Sequence, residues 1–269
     1  MSTLKTTNLQ NASAASPALV LNADGTCSQL GVRNAIINGN PIINQRGYVS
    51  GTATSGANQY TLDRWRVVTS GQSITWTDSG NVRTVTAPAG GLEQVIEGIN
   101  LITGTYTLSW TGTATATVAG NAVANGGNVS ITGGTNTTLR FSSGTVSLVQ
   151  LEPGTVATPF ERRSFGQELA LAYRYFQRRD FTANGWITSA TKSIGNISFG
   201  TPFRSSPSSA TFNSGSIAYG PGGNQSITSM DAPGILAGDY FEAGFNIASG
   251  MTTNAGSSIR ANVSISAEL

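Results

Sequence analysis

The chain has 269 residues, of which only 10 % are charged, against roughly 25 % in an average globular chain. Ser (31), Thr (34), Asn (21) and Gly (33) make up 119 of them, so hydroxyls, amides and backbone must clothe the surface. Histidine is absent, Cys27 is the one cysteine, and 15 basic residues face 13 acidic ones; this excludes a Ser/His/Asp triad, a Cys/His pair, a histidine metal site, an internal disulfide and the charge footprint of a nucleic-acid binder.

Thr suits strands while Gly and Asn suit turns, so the composition predicts an all-β protein with many tight turns. No run reaches the roughly 18 apolar residues of a membrane span. Residues 1–10 lack the basic region and apolar stretch of a secretory signal. The expectation is a non-secreted, non-enzymatic protein made in the cytoplasm, without membrane insertion.

Residues 1–33 are polar apart from small apolar islands, chiefly Leu9 and Leu19-Val20-Leu21. Such a segment buries too little surface to fold alone, so it is a disordered tail or an extended arm that docks on a larger assembly. On the second reading those four residues are the candidate contacts.

From 34 to 163 the apolar period is two. Ile74 and Trp76 share a face, as do Tyr106, Leu108 and Trp110, and Val146 and Leu148 around Ser147. Turn signals at Ser79-Gly80-Asn81, Ala89-Gly90-Gly91 and Asn125-Gly126-Gly127 separate these strands, which predicts a jelly-roll-like β-sandwich. The small alternating residues of 113–118 suggest a thin or edge region. Trp65, Trp76 and Trp110 are expected in the core.

Residues 164–179 change period. Ser164 and Gln167 form a capping-box pattern, and Leu169, Ala172, Tyr173 and Phe176 follow at i, i+3, i+4 and i+7. One short helix is predicted, too short to stand alone. The charges Glu161, Arg162, Arg163, Glu168, Arg174, Arg178 and Arg179 surround it. They read either as a solvated face with local ion pairs or as a ring between subunits. Leu169, Ala172, Tyr173, Phe176, Glu168 and Arg174 are the candidate subunit contacts.

Alternation returns over 180–269, with Ala243, Phe245 and Ile247 on one face and a last strand running Ala261, Val263, Ile265, Ala267, Leu269. A second, C-terminal β-sandwich is expected, with the final strand reaching the last residue. A domain of this size gains from partner copies.

The carboxylates are not spaced as a glycosidase pair, and Gly220-Pro221-Gly222-Gly223 lacks the Lys-Ser/Thr ending of a phosphate loop. No cofactor and no metal are expected. Aromatic residues in loop-rich parts of the C-terminal region are the better signal, since sugar sites stack aromatic faces on pyranose rings beside amides and acids. Trp186, Tyr219 and Tyr240, with Asn224, Gln225 and Asp231, are the candidate glycan-binding residues.

Three segments carry a family resemblance. Asn34-Ala35-Ile36-Ile37-Asn38-Gly39-Asn40 through Ile43-Asn44-Gln45-Arg46-Gly47, with Tyr60-Thr61-Leu62-Asp63-Arg64-Trp65, resembles the opening of a β-sandwich module of bacteriophage tail-fibre proteins. Val149-Gln150-Leu151-Glu152-Pro153-Gly154 through Thr158-Pro159-Phe160-Glu161, with Glu168-Leu169-Ala170-Leu171 to Tyr175-Phe176, resembles its end. The closing Ala267-Glu268-Leu269 and the stretch 9–28 resemble the tips and arms of such fibres. The resemblance implies a homotrimeric fibre of the virion. Its arm (1–33) would join a tail, baseplate or adaptor protein. Its carbohydrate-binding-module-like sandwich (34–163) would form the shoulder, with the helix (164–179) near the threefold axis. Its tip (180–269) would meet host polysaccharide or lipopolysaccharide. Asp63 and Trp65 belong to the motif as structural residues. A purely structural virion part, such as a head fibre, decoration or baseplate protein, is the alternative. A polysaccharide-cleaving spike lacks the long repeat region it would need.

Overall fold

The computed structural model describes residues 33–198, 200–220, 223–231 and 240–269, without the side chains of 240 and 241, and the backbone of three short strands before them. Those strands, β1 (Asn8–Leu9), β2 (Leu19–Leu21) and β3 (Cys27–Ser28), pair antiparallel in that order. Leu9, Leu19, Val20 and Leu21 lie on β1 and β2, but their side chains and the rest of the arm to residue 32 are outside the described residues.

Eleven strands then build a sandwich. They are β4 (Gln59–Tyr60), β5 (Arg66–Val67), β6 (Thr75–Ser79), β7 (Val82–Ala87), β8 (Leu92–Ile96), β9 (Gly104–Thr111), β10 (Thr115–Val118), β11 (Asn121–Val123), β12 (Gly127–Ile131), β13 (Thr137–Ser142) and β14 (Gly144–Pro153). One sheet has the order β11-β10-β13-β8-β5-β4 and the other β12-β9-β14-β7-β6. Alternate residues meet between the sheets: Val67, Leu92, Leu139 and Phe141 from one, Val85, Leu108, Trp110 and Leu151 from the other. Trp65 and Trp110 flank Phe141 at ring-centroid distances of 6.1 and 5.3 Å. Burying each such ring stabilises the sandwich by about 3 kcal/mol. Trp76 is only half-buried, held between Tyr48 and the guanidinium of Arg83.

Two local expectations fail for identifiable reasons. Leu148 does not share the face of Val146: the register against β9 shifts between Ser147 and Gln150, Leu148 takes a positive φ of 49°, and Val149 is buried in its stead. A bulge of this kind is invisible to a period-two count. The 113–118 region is not an edge either, because β10 pairs with β11 on one side and β13 on the other, burying Ala116 and Val118.

Helix α1 spans Phe165–Tyr173. Ser164 Oγ accepts the Gln167 amide, and Gln167 Oε1 accepts the Ser164 amide at 3.0 Å, so the capping box stands as the sequence suggests. The helix stops six residues short of the expected 179. Phe176 begins a strand whose partner runs beside it from Ser266 to Gly256, and that long ladder outweighs one more helical turn. Phe176, Arg178 and Arg179 are therefore strand residues.

The C-terminal region is not a sandwich. Its strands are β15 (Phe176–Ser189), β16 (Lys192–Ser198), β17 (Ser209–Tyr219), β18 (Gly223–Ser226), β19 (Ser229–Met230), β20 (Tyr240–Asn246) and β21 (Gly256–Ser266). They form one sheet ordered β18-β17-β21-β15-β16-β20-β19. Its two outer strands are successive parts of one stretch. Ile227 donates to Gly215 on β17, and Thr228 to Asn246 on β20, so the sheet closes on itself. Inside are Ile187, Ile197, Ile217, Phe245, Ile259 and Val263. Closure leaves one interior and removes the exposed edges of an open sheet. The last strand ends at Ser266, and residues 267–269 leave it to enter the sandwich.

Polar residues of segments 33–65 and 149–161 hold the sandwich end that faces this junction. Asn38 Nδ2 donates to the carbonyls of Ile43 (3.0 Å) and Asp63 (2.9 Å), and Trp65 Nε1 donates to Asn38 O. Asn34 bridges Val149 and Leu151, while Glu161 accepts the amides of Arg33 and Asn34. Gln45 Nε2 reaches both the Asp63 carboxylate and the Phe176 carbonyl. Beyond it, Arg46 and Arg64 close on Glu268. Gln45, Arg46 and Arg64 thus tie the C-terminal residues to the sandwich.

Candidate functional site

Alternation along the barrel strands puts the apolar half inside and leaves an outer face of Ser, Thr and Asn. On β15 the outward residues are Arg178, Asp180, Thr182, Asn184, Trp186 and Thr188, opposite Ser264, Asn262, Arg260, Ser258 and Gly256 of β21. Trp186 is 53 % exposed. Its cross-strand neighbours are Gly256, which has no side chain, and Ile194, an outward residue on the same face. Trp186 is the one large hydrophobic strongly exposed among the described residues of the barrel.

Beside Gly256 lies a shallow depression of about 540 Å³, lined by Asn184, Ala218, Gly220, Asn224 and Ser258. Asn224 sits on β18 opposite Ala218, which places an amide on each side of the depression. Of the six candidates from sequence, Asn224 and Tyr219 reach this depression, and Trp186 stands at its margin. Tyr219 is buried and offers only an edge, because its position is an inward one. Gln225 is half-buried on β18. Asp231 lies elsewhere on the face, where Lys192 Nζ (2.5 Å) and Asn246 Nδ2 (2.7 Å) hold it. Those bonds lower its pKa below the usual carboxylate range. Tyr240 is on β20, and its side chain is outside the described residues.

The candidate subunit contacts divide. Ala172 and Phe176 are buried within the chain, the latter beneath the Arg46 guanidinium 3.7 Å from its ring centre. Glu168 accepts the Asn38 amide and pairs with Arg163. Arg174 pairs with Glu97 at 3.6 Å, and Tyr173 stacks on Arg179. Leu169 is half-buried against the cluster of Ile37, Ile43 and Tyr175. Most of this set is thus engaged inside one chain.

Sequence reasoning missed Asn184, Arg260 and Asn262. The signal was present in the strand it identified best: Arg260 is the one charged residue of 256–266, between Ile259 and Ala261. The face has hydrogen-bond donors and acceptors and one stacking surface. Among the described residues no three acidic or thiol groups converge as metal ligands. Chemically, the arrangement offers hydrogen bonds and one aromatic plane to a polar ligand.

No protein-family model matches the chain, and no curated protein matches it.

Proposed function

We propose that the protein is a non-enzymatic bacteriophage tail fibre that attaches to host surface glycan through its C-terminal barrel. In this reading the arm of residues 1–33 joins a tail, baseplate or adaptor protein. The sandwich is a jelly-roll-like shoulder related to carbohydrate-binding modules. Three copies assemble into one fibre, and three weak sites supply avidity.

The observation that carries the reading is Trp186, a bare indole on a Ser/Thr/Asn face beside a depression flanked by Asn184 and Asn224. Pyranose rings offer an apolar face for stacking and hydroxyls for amides, and this surface supplies both partners. The weak charge of the chain suits neutral hydrogen bonding, and the fibre-like segments at 34–65 and 149–176 supply the family context.

The test is binding of the labelled full chain to arrays of lipopolysaccharides and capsular glycans and to whole bacterial cells, with sedimentation equilibrium alongside. Binding that Trp186→Ala abolishes, by a species of three chains, is the expected result. Silence on every array and cell would turn the assignment to a structural virion part, and a stable monomer would remove the fibre.

A further inference from the structure

The outer face of the barrel carries a second depression, of about 370 Å³, lined by Asp180, Thr182, Ser214, Ser216, Arg260 and Asn262. The first depression takes the next outward positions on the same three strands: Asn184, Ala218 and Ser258. The two therefore run end to end as one trough along β21 from residue 256 to 262, roughly 20 Å at strand rise. Among the described residues Ala218 is the only apolar side chain that lines its outward positions, and Trp186 stands at one end. Such a trough has no grip on an acyl chain or an amphipathic helix, and it is longer than a single sugar needs.

Its middle holds Arg260. Every other described basic side chain has a carboxylate, a hydrogen-bond acceptor or an aromatic ring against it. Arg260, exposed on the central strand of the face, has none of these among the described residues. Asp180, in the same depression, forms no ion pair with it; one oxygen of its carboxylate accepts from Asn262 Nδ2 at 2.8 Å. Arg178 in turn donates to Asn262 Oδ1 at 3.1 Å. A free guanidinium presents a planar fork that fits one carboxylate or phosphate.

We propose that this trough takes a linear polysaccharide bearing acidic groups, with Arg260 contacting the anion and Trp186 stacking on a neutral sugar at the end of the trough. The proposal rests on the glycan-binding reading and gives it a ligand class. Asp180, two positions along β15 from Thr182, repels a second anion close by. The chain that fits best therefore spaces its acids between neutral sugars.

Affinity electrophoresis of the full chain tests it in gels holding hyaluronate (carboxylate on alternate sugars), phosphomannan (phosphodiester) or carboxyl-reduced hyaluronate (neutral). Retardation in at least one acidic polymer should exceed that in the neutral one by about tenfold, the factor expected for a charge-assisted pair. Arg260→Gln should erase the excess, and Trp186→Ala should weaken retardation in all three gels; which acidic polymer responds tells carboxylate from phosphate. Equal retardation in acidic and neutral gels, an Arg260→Gln chain that behaves as wild type, or no retardation anywhere overturns the acidic ligand. Trp186-dependent retardation in the neutral gel alone would do so while leaving the glycan reading intact. A change of sedimenting mass in either variant would identify the trough as an interface between copies, which also overturns the proposal.

Discussion

Arg46 Nη2 lies 2.9 Å from Glu268 Oε1, and the other oxygen of the same carboxylate takes the buried guanidinium of Arg64. Residues 222 and 204 positions apart in sequence thus share one buried anion. The main-chain oxygen of Leu269 adds two bonds, from Tyr60 Oη (2.8 Å) and Arg66 Nη1 (2.9 Å). The final residues of the barrel are the clasp of the whole chain. Removing the charge by Glu268→Gln leaves two arginines short of their counter-ion in a dry seam. A loss of about 3–5 kcal/mol is expected, as for breaking one side of a buried pair. Urea unfolding measures it. A midpoint unchanged from wild type would mean that the seam is hydrated and the ion pairs contribute little.

Asp63 gives the seam a pH dependence. Burial is the main cause that pushes its pKa up from 3.8 to about 6; the hydrogen bonds from Gln45 and the charge of Arg46 oppose this, and Glu268 adds to it. A raised pKa in the fold means that the native chain keeps a proton which the unfolded chain has released. The contribution of Asp63 is thus complete below about pH 4, falls as pH rises to about 6, and is flat beyond. A two-unit shift corresponds to roughly 3 kcal/mol across that window. Asp63→Asn stays neutral throughout, so its stability relative to wild type should rise between pH 4.5 and 7. Glu161, Asp78 and Asp231, all with lowered values, act in the opposite sense and lower down, below their ordinary carboxylate range. Urea midpoints of both chains at the two pH values decide it: parallel curves would mean that Asp63 stays ionised.

The strands were legible because their period is two and their turns are marked by glycine and asparagine. Leu108, Trp110, Val263 and Ile265 are buried where alternation puts them. The capping box was legible because two residues three positions apart suffice to define it. What sequence left hidden depends on partners far along the chain. Phe176 satisfies a helical spacing and a strand spacing alike, and only the ladder with Ser266 and its neighbours decides between them. Barrel closure rests on two backbone bonds of Ile227 and Thr228 that no side-chain pattern records. Of the candidate site, Trp186 is exposed but lies on β15 and not in a loop, Tyr219 is buried, and Asp231 was drawn in by residue type alone and is engaged by Lys192.

The start of α1 offers a smaller test. Ser164 Oγ is the acceptor for the Gln167 amide, in a helix whose buried contact comes mainly from Ala172. Ser164→Ala should cost about 1 kcal/mol, the usual value of an N-cap. Ser164→Thr should restore most of it. A helix this short has little else to hold its first turn, so the loss should appear as faster amide exchange at Gln167 and Glu168 before it appears in the global unfolding midpoint.

Trp110 and Trp186 form an internal control, since one residue type occupies two opposite environments. Trp110 is buried on Phe141, and its replacement by Ala should cost about 3–5 kcal/mol through lost contacts and a cavity. Trp186 touches little, and its loss should move stability by no more than about 0.5 kcal/mol. If Trp186 is kept for stacking on sugar, Trp186→Ala should leave the melting curve in place while glycan retardation falls, and Trp186→Tyr should recover part of it because an aromatic plane remains. A destabilisation of Trp186→Ala comparable to that of Trp110→Ala would instead make the exposed indole a packing residue, covered in the assembled protein by another surface. Thermal unfolding and affinity electrophoresis on the same preparations separate the two cases.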